Sequence, residues 1–230
     1  MILQIEIFIM KRFIALTLLL STLLLAACRG GEPTEAGFID PKTDIEYVEV
    51  TPMGLYPLDP QEEFITVTQK GEETVYYSVY FEDASRFLCY EIEGYYFLMR
   101  ASNVKEPNVR EFEPIAASIY SGNNTAYVMS FYADKEYLPE DKQDEETVGD
   151  SAICKQVADA IMDGEAIELP ASYKELENFY SFRLLSQKYP GLYYLVSFFS
   201  YNGRYFLRDD AMGKTVYCPR EIIIRIVGKE

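Results

Sequence analysis

The sequence predicts an α+β domain dominated by antiparallel strands, and three features predict it. Short runs of β-branched and aromatic residues recur between Gly/Asn turn signals along most of the chain. One segment, 151–163, carries a 3.6-residue apolar period. The aromatic residues are mainly tyrosine, 20 of them with no tryptophan, and they cluster inside the strand-like runs.

The strand-like runs begin with Ile45–Val50, followed by the alternating Phe64–Thr68. A polar break at Gln69–Glu73 leads into Val75–Phe81. Arg86–Ile92 and Tyr95–Met99 flank Glu93-Gly94, a two-residue hairpin turn. Ile115–Tyr120 and Ala126–Tyr132 flank Gly122-Asn123-Asn124. The helix is expected near 151–163. Asp150 or Ser151 can cap it, Ile153, Val157, Ala160 and Ile161 share a face, and Gly164 stops it. Residues 173–187 fit either a helix or a strand. Leu192–Ser200 is a strongly apolar strand, turned by Asn202-Gly203 into Tyr205–Arg208. Gly213 turns again into Thr215–Tyr217, and Glu221–Val227 is a last strand or a short helix after Pro219.

The N-terminal residues follow a different logic. Lys11 and Arg12 precede an apolar run from Phe13 to Leu25, which closes on Ala26, Ala27 and Cys28. A charged start, a short apolar core and small closing residues form a signal peptide. The run is shorter than the ~20 residues a transmembrane helix needs. The apolar stretch Met1–Ile9 ahead of the charges places the expected translation start at Met10. Leu25-Ala26-Ala27-Cys28 resembles the lipobox of bacterial lipoprotein precursors, over residues 10–28 only. The resemblance implies cleavage between Ala27 and Cys28 and a diacylglycerol on the Cys28 sulfur. It places the chain on the extracytoplasmic face of the cell membrane, with the membrane as partner through the lipid. Two acyl chains suffice for stable anchoring.

The expected organisation is therefore a signal peptide over 1–27, a lipidated flexible tether over 28–44 and an exported domain over 45–230. Gly30, Gly31, Pro33, Gly37 and Pro41 make the tether a coil. Its 16 residues after Cys28 reach ~20–25 Å. An acidic connector over 134–150 marks a possible sub-boundary. A faint echo between Tyr76–Leu88 and Tyr193–Leu207 fits either duplicated β units or chance.

Composition excludes several functions. The net charge is −16, and residues 1–27 hold Glu6, Lys11 and Arg12, a net +1, so the exported part stands at −17. Such a surface repels nucleic acid, and no nucleic-acid partner is expected. With no histidine in the chain, Ser-His-Asp and Cys-His mechanisms and the usual catalytic zinc sites fall away. Cys89, Cys154 and Cys218 match no metal or redox spacing. Two readings of them stay open: three buried thiols, or one disulfide with a free thiol.

The remaining candidates are each matched by a plainer explanation. The carboxylates of 134–150 lack the pattern of a calcium loop. Asp209-Asp210 suits turn chemistry. Tyr76-Tyr77 and Tyr193-Tyr194 put one ring on each strand face, which means either a two-sided core or an exposed aromatic platform. No catalytic residue, cofactor or metal ligand stands out. The leading expectation is a non-catalytic binding or envelope-accessory lipoprotein with a protein or glycan partner. The alternatives are a carboxylate-based hydrolase of envelope or extracellular glycan, and an acidic inhibitor or chaperone of a basic partner.

Overall fold

Side chains alternate between the two faces of an extended chain, so a run apolar at every position must be covered on both sides. Much of this sequence is of that kind, and the computed structural model answers it with two sheets that share one core. The structure describes residues 37–50, 53–56, 60–69, 72–121, 126–132, 152–168 and 176–228, all within one compact unit, Gly37–Glu230.

Thirteen strands are described. They are β1 (Gly37–Ile39), β2 (Glu46–Glu49), β3 (Met53–Leu55), β4 (Glu63–Gln69), β5 (Glu72–Ser78), β6 (Phe87–Ile92), β7 (Tyr95–Ala101), β8 (Ala116–Ser121), β9 (Ala126–Tyr132), β10 (Glu177–Leu185), β11 (Leu192–Tyr201), β12 (Arg204–Asp209) and β13 (Lys214–Tyr217). Helix α1 (Ala152–Asp163) precedes β10, and α2 (Arg220–Val227) follows β13. Every strand pairing is antiparallel. Sheet A runs β1-β2-β7-β6-β5-β4, and sheet B runs β13-β12-β11-β10-β8-β9 with β3 on the β12 side of β11.

The expectation of an α+β domain is corrected to a fold close to all-β. About half of the described residues are in strands, and only two short helices accompany them. The apolar face of α1 is real, with Ile153, Cys154, Val157, Ala158 and Ile161 buried. But α1 packs on β12 and β13 at one edge of sheet B, where its buried face, with Ile222 and Ile226 of α2, joins the core that the two sheets share. Residues 220–227 take the helical option, closed by Gly228 at φ 64°. Glu177–Leu185 takes the strand option, between β8 and β11. The Asn202-Gly203 and Glu93-Gly94 turns both form, with positive φ at all four residues.

The main core joins Phe87, Cys89 and Leu98 of sheet A to Phe182, Tyr194 and Phe198 of sheet B. The chain crosses from one sheet to the other between β2, on β7, and β3, on β11. Sheet A also curls around its opposite face. Phe38 of β1 stacks on Tyr76 of β5 with centroids 3.9 Å apart, although four strand spacings separate them along the sheet. A flat sheet would hold them ~19 Å apart. The curl encloses a second cluster of Phe38, Tyr47, Tyr76, Leu88, Met99 and Ala101. β1 and the Asp40–Asp44 turn lie in the stretch that the sequence reads as tether, and Asp40 holds that turn through Lys42 N and Thr43 Oγ1.

Candidate functional site

Register across sheet B builds an aromatic row that no single strand announces. Phe199 pairs with Phe206, and Phe206 with Tyr217. Their rings stand side by side, with centroids 5.7 Å and 5.2 Å apart, and Phe179 extends the row on the other side of Phe199 at 6.4 Å. Phe199 and Phe206 are buried, whereas Tyr217, on the last strand of the sheet order, is 50% exposed.

The exposed end of this row opens on a slot. Ile167 N donates to Thr215 O at 2.8 Å, which lays residues 165–168 beside β13. Ile167, Glu168, Tyr217, Phe206 and Tyr201 line the slot, together with Asn202 and Arg204 at the β11–β12 turn. The cavity measures about 360 Å³. Arg204 Nη1 donates to the Tyr217 hydroxyl at 2.9 Å, and its guanidinium carbon lies 5.7 Å from the ring centroid. A stacking face beside a guanidinium, an amide and a carboxylate suits a ligand with one apolar ring face and a polar edge.

A second cavity, about 220 Å³, is lined by Glu106, Pro107, Asn108, Tyr194, Ala211 and Met212. Behind it Asp209 is fully buried. Its Oδ2 accepts the Tyr194 hydroxyl at 2.7 Å, and its Oδ1 accepts Met212 N at 3.1 Å. Burial raises the Asp209 carboxyl above the usual range, while the Tyr194 hydroxyl and the turn amides pull it back. Burial, and then the Asp209 charge, raise the Tyr194 phenol. Asp209 thus serves as turn former and buried acceptor. Its neighbour Asp210 is held by Arg208 Nε at 2.5 Å.

A third ionisable group lies where the sheets meet. The Glu82 side chain is 2% exposed. Burial raises its carboxyl to about 7, against smaller opposing effects of Gly191 N, 3.4 Å away, and of Arg86.

The tyrosine pairs line two-sided cores. Tyr76 and Tyr194 are buried on opposite faces of their sheets from Tyr77 and Tyr193, and all four are at least partly covered. Tyr193 lies over Gly54 and shares the Arg183 guanidinium with Tyr120, at 5.0 Å and 4.1 Å. The aromatics left open among the described residues are Phe64, Phe81, Tyr217 and the β6–β7 tip with Tyr95 and Phe97. Alternation within β12 and β13 does place Phe206 and Tyr217 at matching parity, which is the signal that could have found the row. Cys89, Cys154 and Cys218 are buried thiols outside any disulfide. Burial raises Cys89 to about 12 and Cys218 well above its ordinary value. Among the described residues no group of three or more Asp, Glu or Cys is placed to hold a metal. Ala27, Cys28 and the 134–150 connector lie outside the described residues.

No family model matches the chain, and neither a curated protein nor a solved structure matches it.

Proposed function

We propose that this chain is a lipoprotein anchored through Cys28 on the extracytoplasmic face of the cell membrane, with a non-catalytic binding role centred on the sheet B slot. The observation that carries the binding role is the open ring of Tyr217 at the end of a buried aromatic row, flanked by Arg204, Asn202 and Glu168. The buried rings fix the orientation of the exposed one, so little side-chain entropy is lost on binding. An envelope glycan fits these walls: a sugar ring has an apolar face for Tyr217 and hydroxyls for the polar groups. The hydrolase reading finds less support, because both oxygens of the most buried carboxylate, Asp209, are held by Tyr194 and by turn amides.

The anchor supports the same role. So acidic a domain has no attraction for anionic headgroups, which leaves the lipid as its source of membrane affinity. Two measurements test the proposal. Cys28→Ala should move the protein out of the membrane fraction or leave it unprocessed, and normal cleavage with an unchanged membrane fraction would overturn the anchor. Calorimetric titration with soluble peptidoglycan fragments should give binding that Tyr217→Ala weakens about tenfold. Binding unaffected by Tyr217→Ala, or none to the unmodified protein, would remove the slot as the glycan site.

A further inference from the structure

Arg204 differs from the other cations of this acidic chain. Arg86, Arg110 and Arg208 each meet a carboxylate within 4.0 Å. Arg204 meets none among the described residues, and its contacts are with the Tyr217 hydroxyl and ring. Strand register explains how these two residues meet. Arg204 and Phe206 are two positions apart on β12 and share a face, and Phe206 pairs with Tyr217 on β13. A long side chain reaches such a diagonal neighbour, and Arg204 Nη1 donates to the Tyr217 hydroxyl at 2.9 Å. The guanidinium therefore lies at the hydroxyl end of the ring, 5.7 Å from its centroid.

Among the described residues that line the slot, Arg204 is the one cation and Glu168 the one carboxylate. Both are exposed, as is Asn202. A guanidinium presents a planar fork of N–H donors that meets a carboxylate or a phosphate at two points. The Tyr217 hydroxyl takes one of those donors and leaves the others for a ligand. The overall acidity of the chain does not oppose an acidic ligand here. Charges beyond ~8 Å are screened at physiological ionic strength, so the groups inside the slot decide what it accepts.

We infer that the slot is specific for a sugar bearing an acidic substituent, whose carboxylate or phosphate Arg204 binds while the sugar ring stacks on Tyr217. The inference rests on the glycan-binding reading of the slot and sharpens it. The hydroxyl and amide groups of the same sugar are left for Asn202 and Glu168. Glu168 repels an acid placed beside it, so the ligand lies with its acidic end toward Arg204.

The test is calorimetric titration of the full chain with two matched pairs of probes. The first pair is the disaccharide of N-acetylglucosamine and N-acetylmuramic acid, and its methyl ester, which lacks the carboxylate charge. The second is N-acetylglucosamine 6-phosphate and N-acetylglucosamine. At least one acidic probe is expected to bind about tenfold tighter than its neutral partner, and which one does so separates carboxylate from phosphate. Arg204→Gln changes an exposed position and should keep the fold, which its circular dichroism checks. It should lower the acidic probe to the affinity of the neutral one and leave the neutral one unchanged. Lys105→Gln, outside the slot, should leave the preference intact. Equal affinity for acidic and neutral probes in the unmodified protein would overturn the inference while leaving the glycan slot in place. An equal loss of both probes in Arg204→Gln would overturn it too, because the arginine would then only position Tyr217. So would a preference that survives in Arg204→Gln or is lost in Lys105→Gln. Binding of no probe at all would remove the slot reading itself, and this inference with it.

Discussion

Tyr194 donates its hydroxyl to Asp209 Oδ2 at 2.7 Å, with both residues fully buried. The bond links the middle of the core to the β12–β13 turn, because the other oxygen of the same carboxylate holds Met212 N. A buried carboxylate without donors is costly, so the phenol is required here in a way that its ring alone is not.

Tyr194→Phe keeps the ring and removes the donor. We expect a loss of about 1–3 kcal/mol in urea unfolding at pH 7. The hydroxyl favours the ionised carboxylate, so the loss should be smaller at pH 4, where Asp209, with its raised value, gains a proton in the fold. A loss that is equal at both pH values would show that packing, and not the hydrogen bond, was removed.

Glu82 makes stability fall as the solution becomes more alkaline. Its folded value near 7 lies above the ordinary 4.5, so the native state holds the proton more tightly than the unfolded chain. The stabilisation is complete below about 4.5 and is lost as pH rises through about 7, by up to ~3 kcal/mol. The groups facing it are Arg86 at 4.0 Å and Gly191 N. Asp83 is turned to Ser85, and Lys188 on the facing turn to Glu113 and the Glu111 carbonyl. Glu82→Gln should flatten the change between pH 5 and 8 and raise stability at pH 8. Unfolding free energies across that range check both.

Two glycines mark close approaches of different kinds. A Cβ on Gly191 would sit 1.8 Å from the Tyr80 carbonyl oxygen, and backbone cannot swing aside. On Gly54 it would meet the Tyr193 ring at 2.4 Å, and a ring can. Gly191→Ala should therefore cost about 3 kcal/mol or more, and Gly54→Ala about 1–2 kcal/mol. The ranking is the expectation, and thermal unfolding of the two variants measures it.

The three described thiols should be inert in the folded protein. They are buried and outside any disulfide, and burial disfavours the reactive thiolate at Cys89 and Cys218. An alkylating reagent should modify Cys89, Cys154 and Cys218 only after unfolding, and prior reduction should leave their modification unchanged. Mass spectrometry of the alkylated chain decides.

Local features of this chain were legible residue by residue. Asn202-Gly203 and Glu93-Gly94 accept positive φ, and both made the hairpins they announce. The 3.6-residue period expected at 151–163 made the longer of the two described helices, Ala152–Asp163, because its apolar stripe needs a cover wherever it lies. Residues 173–187 were ambiguous because Tyr180 and Leu184 suit both periods, and pairing on both edges resolved Glu177–Leu185 as a strand. The three-residue strands β1 and β3 carry too few residues to show a period at all, and they exist because β2 and β11 offer them an edge.

The sequence by itself determined the strand-rich character, the turn positions, the acidity and the lipobox resemblance at Cys28, since each rests on residues close together in the chain. Tertiary structure alone decided that two sheets, with a helix at one edge, close the core, and that Phe179, Phe199, Phe206 and Tyr217 form one row. It also decided that Tyr95 and Tyr217 stay open while Tyr76 and Tyr194 are enclosed. Those outcomes depend on register and on the curl of sheet A, which bring together residues far apart in the chain, and neither is encoded in any local pattern.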